Sequence, residues 1–128
     1  MTEAQIARFL IEDLPAQLSA AYGKDVPEKV KVLFNRMMLQ AFSVPSLQSY
    51  LQGASVEKDP NNPNGVRIQL DFLKLPREVI PDLERLLSVD YFKNHRLVRF
   101  MKNGSARTGL EISVEPKDLP GDAYDYAF

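Results

Sequence analysis

The chain contains no cysteine, a single histidine (His95) and no long apolar run. Without thiols there are no disulfides, no thiolate metal sites and no thiol nucleophile. The absence fits a reducing compartment. No spacing matches a histidine-based zinc site or a calcium loop. The opening residues include Glu3, Glu12 and Asp13, so they lack the basic start and apolar run of a secretory leader. No stretch approaches the roughly 18 apolar residues of a membrane span. The expected location is therefore cytoplasmic. A phosphate cradle is also missing: Asn103 to Gly109 holds two glycines, but it joins two strand-like segments and does not lead into a helix N-terminus. With 16 Lys and Arg against 17 Asp and Glu, the formal charge of −1 argues against a general nucleic-acid coat.

What is present suits one compact domain. A chain of 128 residues buries roughly two-thirds of its unfolded surface and folds without staples. We expect a single α+β domain over 1–120 and a loosely held acidic-aromatic tail over 121–128. The N-terminal half is helical. Thr2 and Gln5 have capping-box spacing, and Ile6, Phe9, Leu10, Leu14 and Leu18 form one apolar stripe. Pro15 interrupts it, and Gly23 sits where a helix would end. Asp25 is the expected N-cap of the next helix, with Pro27 in its first turn and Glu28 completing a box. Val30, Leu33, Phe34, Met37, Met38 and Ala41 then share one helical face. Ser46 to Gln52 reads as a third short helix stopped by Gly53.

Asp59 to Gly65, DPNNPNG, is the strongest turn signal and divides the helical half from the rest. Beyond it the period changes to two. Val66, Ile68, Leu70 and Phe72 alternate with polar residues, which marks a half-buried strand. Leu83, Leu86 and Leu87 suggest a short helix after the turn bracketed by Pro76 and Pro81. His95–Lys102 is a second strand, and Leu110, Ile112 and Val114 belong to a third. These two should form a hairpin through a seven-residue connection. The fold class is thus α+β: two or three N-terminal helices followed by β-α-β-β, forming a small antiparallel or mixed sheet.

The densest chemistry lies between Tyr91 and Leu110, which holds Lys93, Arg96, Arg99, Lys102 and Arg107 and no acid. Alternation puts Arg96, Val98, Phe100 and Lys102 on one strand face and Leu97, Arg99 and Met101 on the other. These cations either meet an anionic partner, with Tyr91, Phe92 and Phe100 available for stacking, or pair locally, Arg99 with Glu111 or Glu115. His95 lacks any sequence pattern supplying an orienting group and a nucleophile. Glu115-Pro116-Lys117 matches half of a metal-dependent nuclease core, with Asp71 as the second carboxylate. In the tail, Tyr124, Tyr126 and Phe128 alternate with Asp122 and Asp125, which suits a short docking peptide. Over those last residues only, and without a run of aspartates, the segment resembles the acidic, phenylalanine-terminated tails of bacterial single-stranded-DNA-binding proteins.

These features point first to a non-enzymatic macromolecular interaction protein, a small adaptor, chaperone or inhibitor. It would bind a protein partner through the basic hairpin, the acidic-aromatic tail, or both. The expected binding residues are Lys93, Arg96, Arg99, Lys102, Arg107, Tyr124, Tyr126 and Phe128. No cofactor and no metal is implied. A nucleic-acid-binding module using residues 93–107 is the second reading, and a metal-dependent nuclease the third.

Overall fold

Alternating apolar residues at Val66, Ile68, Leu70 and Phe72 build a central strand in the computed structural model, which describes residues 1–23, 26–62, 65–88, 92 and 94–115. The fold is α+β: N-terminal helices and a four-stranded antiparallel sheet. The strands are β1 (Leu51–Lys58), β2 (Val66–Leu73), β3 (His95–Lys102) and β4 (Ser105–Val114), in spatial order β1-β2-β4-β3. β2 pairs with β4 so that Val66, Ile68 and Leu70 stand opposite Val114, Ile112 and Leu110. All six are buried, and they form the apolar inner face of the sheet.

The helices cover that face. α1 (Glu3–Arg8) opens with the expected capping box of Thr2 and Gln5. A π-helical turn over Phe9–Asp13 joins it to α2 (Leu14–Tyr22), with the Leu14 N–H donating to the Phe9 carbonyl. Pro15 explains the widened turn. It has no N–H to give, and its ring crowds the carbonyl four residues back, so the helix inserts a residue instead of breaking. Gly23 ends α2 in the left-handed conformation, at φ 68°. α3 (Glu28–Phe42) buries Leu33, Phe34, Met37 and Met38. Its N-cap is Pro27, which offers no side-chain hydrogen bond; the expected cap Asp25 lies outside the described residues. Phe42 meets Phe9 edge-to-face at 5.8 Å, joining α3 to the π turn. A 3₁₀ turn over Arg77–Val79 leads into α5 (Ile80–Leu87), which connects β2 to β3 and buries Leu83 and Leu86.

Three expectations need correction. The third helix is only one turn, α4 (Pro45–Gln48), and Leu51–Lys58 is a strand. The Asp59–Gly65 segment is therefore the turn of the β1–β2 hairpin, not a divider between a helical and a sheet half. The hairpin between β3 and β4 is also tight. It closes with Asn103 at φ 52° and Gly104 at φ 80°, the pair of left-handed residues that a two-residue turn requires. β4 begins at Ser105 and includes Arg107.

The apolar row of α3 generates a stability prediction. Leu33→Ala should lose about 2–5 kcal/mol, because Leu33 is fully enclosed. Denaturant unfolding measures this. A loss below about 0.5 kcal/mol, the range of surface substitutions, would place Leu33 outside the core.

Candidate functional site

The register of the β3–β4 hairpin sorts the basic residues. Arg96 faces Glu111, Phe100 faces Arg107 and Lys102 faces Ser105 on the outer side of the sheet, which the helices do not cover. His95, Leu97, Arg99 and Met101 face Ile112, Leu110, Thr108 and Ala106 on the inner side. The cations that are neighbours in sequence are thus divided between two faces. Lys93 and the tail residues Tyr124, Tyr126 and Phe128 lie outside the described residues. Phe92 is fully buried in the core, so its ring is not available for stacking.

On the outer face the charges run in a row across all four strands: Glu57, Arg67, Glu111, Arg96. Arg67 pairs with Glu57 and, at 3.3 Å, with Glu111. Arg96 donates to both Glu111 oxygens, at 3.1 and 3.0 Å. Hydrogen bonding to Glu57 holds the Arg67 guanidinium above its ordinary range. Burial pulls the other way, and the negative charges of Glu57, Glu111 and Asp59 add to the rise. A raised cation stabilises the fold at every pH below the arginine range and loses that effect only as pH climbs through it, so Arg67 remains charged under all ordinary conditions. Glu111 is therefore committed to Arg67 and Arg96, and Arg99 is not its partner.

The inner side of β3 is different. Helices cover the sheet from β1 across β4 but leave a groove of about 550 Å³ between α5 and β3. Leu75, Ile80, Leu83, Leu97 and Met101 line it, with Lys74 and Arg99 among its polar residues. Leu97 remains 48% exposed and Met101 67% exposed. Among the described residues no carboxylate pairs with Lys74, Arg99, Lys102 or Arg107. Of these cations Lys74, Arg99 and Arg107 line the groove, and Arg99 shares its strand face with Leu97 and Met101. Lys74 was not singled out in the sequence. It reaches the site only because the chain leaves β2 beside the groove, and no linear signal marks that.

The remaining candidates do not assemble into a catalytic arrangement. The Nδ1 of His95 lies 2.7 Å from the Phe92 carbonyl, which only accepts, so Nδ1 carries the proton. His95 shares a polar pocket with Asp59 and Ser113, but it makes no hydrogen bond to either. One Asp59 oxygen accepts from the Asn61 N–H at 2.9 Å, which fixes the β1–β2 turn. Asp71 stands opposite Gly109, six residues from Glu115 along β4. At ~3.4 Å per residue the two carboxylates are ~20 Å apart, too far to share a metal ion. Glu115 instead accepts from Asn62 at 3.0 Å, and Lys117 lies outside the described residues. No group of three or more metal-ligating side chains occurs among the described residues. No helix among them is long and apolar enough to cross a membrane.

Comparison with protein-family models, with curated proteins and with solved structures found no match to the chain.

The outer face supplies two predictions. Arg67 is 18% exposed and links two carboxylates, whereas Arg96 is 66% exposed and touches one. Arg67→Gln should lose about 1–3 kcal/mol, because it removes the shielded cation that joins Glu57 to the largely buried Glu111. Arg96→Gln should lose less than about 1 kcal/mol, as exposed pairs do. Equal losses in chemical denaturation would mean that Arg67 does not organise the row. The second concerns Gly109, over which Val98 and Phe100 lie. A Cβ there would stand 2.9 Å from Val98 Cγ2 and 3.3 Å from the Phe100 ring. Gly109→Ala should lose about 1–3 kcal/mol through this overpacking, even though alanine suits a strand better than glycine. A melting temperature at or above that of the parent would show that the two side chains step aside freely.

Proposed function

We propose that the chain is a non-enzymatic protein-interaction module that takes an acidic segment of a partner protein at the groove between α5 and β3. One observation carries this reading: among the described residues Lys74 and Arg99 stand without carboxylate partners beside exposed Leu97 and Met101, whereas Arg67 and Arg96 on the outer face are neutralised by Glu57 and Glu111. Unpaired cations beside an apolar surface favour a ligand that brings both negative charge and apolar area. A nucleic acid fits less well. The basic side chains lie on two faces and form no continuous stripe for a phosphate backbone, and Phe92 is unavailable to stack on bases.

Fluorescence anisotropy tests this with two labelled probes, a synthetic acidic-apolar peptide and a single-stranded oligothymidylate. The peptide should bind, and the double variant K74E/R99E should weaken it at least about tenfold, equivalent to about 1.4 kcal/mol. Lys74 and Arg99 are exposed, so the variant should unfold at the parental temperature. Tight oligothymidylate binding would overturn the reading if log affinity fell with log salt at about −0.7 per phosphate contact and the variant abolished it.

A further inference from the structure

We propose that the acidic segment is received as a fifth strand of the sheet, hydrogen-bonded to the free edge of β3, with alternate apolar side chains entering the groove. The inference rests on the protein-binding reading above and names how the partner is recognised.

The backbone of β3 supplies the first argument. The Ser113 N–H donates to the Asn94 carbonyl at 2.9 Å, so Asn94 and Ser113 form a hydrogen-bonded pair of the β3–β4 ladder. Such pairs alternate along antiparallel strands. Arg96, Val98, Phe100 and Lys102 are therefore the residues bonded to β4. The N–H and C=O groups of His95, Leu97, Arg99 and Met101 point away from the sheet. β3 is a terminal strand, and no described residue hydrogen-bonds to these groups. The opposite edge is treated differently. On β1 the outward N–H of Val56 donates to the Gln17 side chain of α2 at 2.7 Å, and the amine of Met1 donates to the Leu51 carbonyl. One edge is occupied by the protein's own helices; along His95–Lys102 no described residue covers the other.

The second argument is the side chains of that open edge. Leu97, Arg99 and Met101 carry the outward backbone groups, and they also face the groove. A strand added here places its directly opposed residues on the same face. Every second side chain of the ligand then lies over Leu97, Arg99 or Met101 and beside Ile80 and Leu83. Main-chain bonds would supply affinity and the groove would read alternate side chains, the general logic of strand addition.

Charge selects the occupant. A second copy pairing β3 against β3 would bring Arg99 and Lys102 of both chains onto one short ladder, and like charges close together destabilise cross-strand pairs. An acidic strand has no such penalty and meets Arg99 and Lys74 on the groove side and Lys102 on the other. The ligand is therefore an extended segment of another protein, alternating acidic and apolar residues.

The test uses the full chain and a capped heptapeptide in which aspartate alternates with phenylalanine, valine and leucine. Two further peptides carry N-methyl groups on alternate backbone amides, one set of each parity. Only one parity faces β3. One N-methylated peptide should lose at least tenfold in affinity by calorimetry while the other binds as the parent does. Hydrogen exchange at the Leu97, Arg99 and Met101 amides should slow on binding. Equal affinity of all three peptides, with sensitivity to K74E/R99E retained, would overturn strand addition while leaving the protein-binding reading standing. No binding of the parent peptide tighter than about 1 mM would overturn the inference together with that reading. Slow exchange at those amides in the free chain would also overturn it. If independent of protein concentration, the edge is filled by the chain itself; if concentration-dependent, by a second copy.

Discussion

The register of β2 against β4 is the constraint on which the other features depend. Val66, Ile68 and Leu70 meet Val114, Ile112 and Leu110 with no offset, giving three buried cross-strand pairs on one face. A slip of one residue would turn the three apolar side chains of the slipped strand outward, each worth about 1.5–3 kcal/mol when fully buried. Because β4 takes the place beside β2, β3 is displaced to the margin, although it precedes β4 in the chain. β2 and β3 consequently run parallel without touching. On the outer face Arg67 stands opposite Glu57 in the β1–β2 register and diagonally from Glu111, which faces Gln69 on β2, so the ion row depends on both pairings.

The two margins of the sheet then follow different rules. Unpaired strand edges template association with other chains, and proteins cover or charge them. β1 is covered: α2 packs against it and Gln17 satisfies the Val56 N–H. Charge at β3 does the work that a helix does at β1. Arg99 and Lys102 oppose pairing with another copy of the same strand, and that repulsion does not extend to a strand of opposite sign. An edge of this kind would discourage self-association while admitting the acidic strand proposed above.

The sequence was legible where one local rule decided the outcome. Leu33, Phe34, Met37 and Met38 on a helical period gave α3, Thr2 and Gln5 gave its forerunner α1 a start, and strict alternation gave β2. It misled where the outcome depended on a distant partner. Leu51–Lys58 has only Leu51 and Val56 buried, and its register shifts between Leu51 and Gly53, so its alternation is broken in the sequence. It is a strand because β2 offers an edge. Asn103-Gly104 marked a turn, but Ser105, Ala106 and Arg107 are too polar or small to announce a strand before Leu110. The cations were read as one patch because they are close in sequence. Strand parity divides them, and only the pairing with β4 shows that Arg96 is neutralised while Arg99 is not. The polar-to-apolar contrast of the groove was invisible for the same reason: Lys74 and Ile80 join Leu97 and Met101 only after α5 crosses the sheet.

Leu97 and Met101 are the residues that the fold explains least. They flank Arg99 on its own face of β3, and both stand largely exposed. At those exposures the fold gains only part of the transfer energy of a leucine or a methionine. A solvated edge strand would be served as well by threonine, which pairs on a sheet without offering apolar area to other chains. Scattered exposed apolar residues are ordinary on a protein surface, but these two share a strand face, a groove and a backbone ladder that no described residue pairs with. Arg99 between them rules out simple burial by an apolar partner, because its guanidinium would lose water without gaining a counter-charge. The combination is balanced only when the covering surface is apolar at some positions and anionic at others. An extended chain alternating between the two satisfies the side chains of Leu97, Arg99 and Met101 and their outward-facing backbone groups at once.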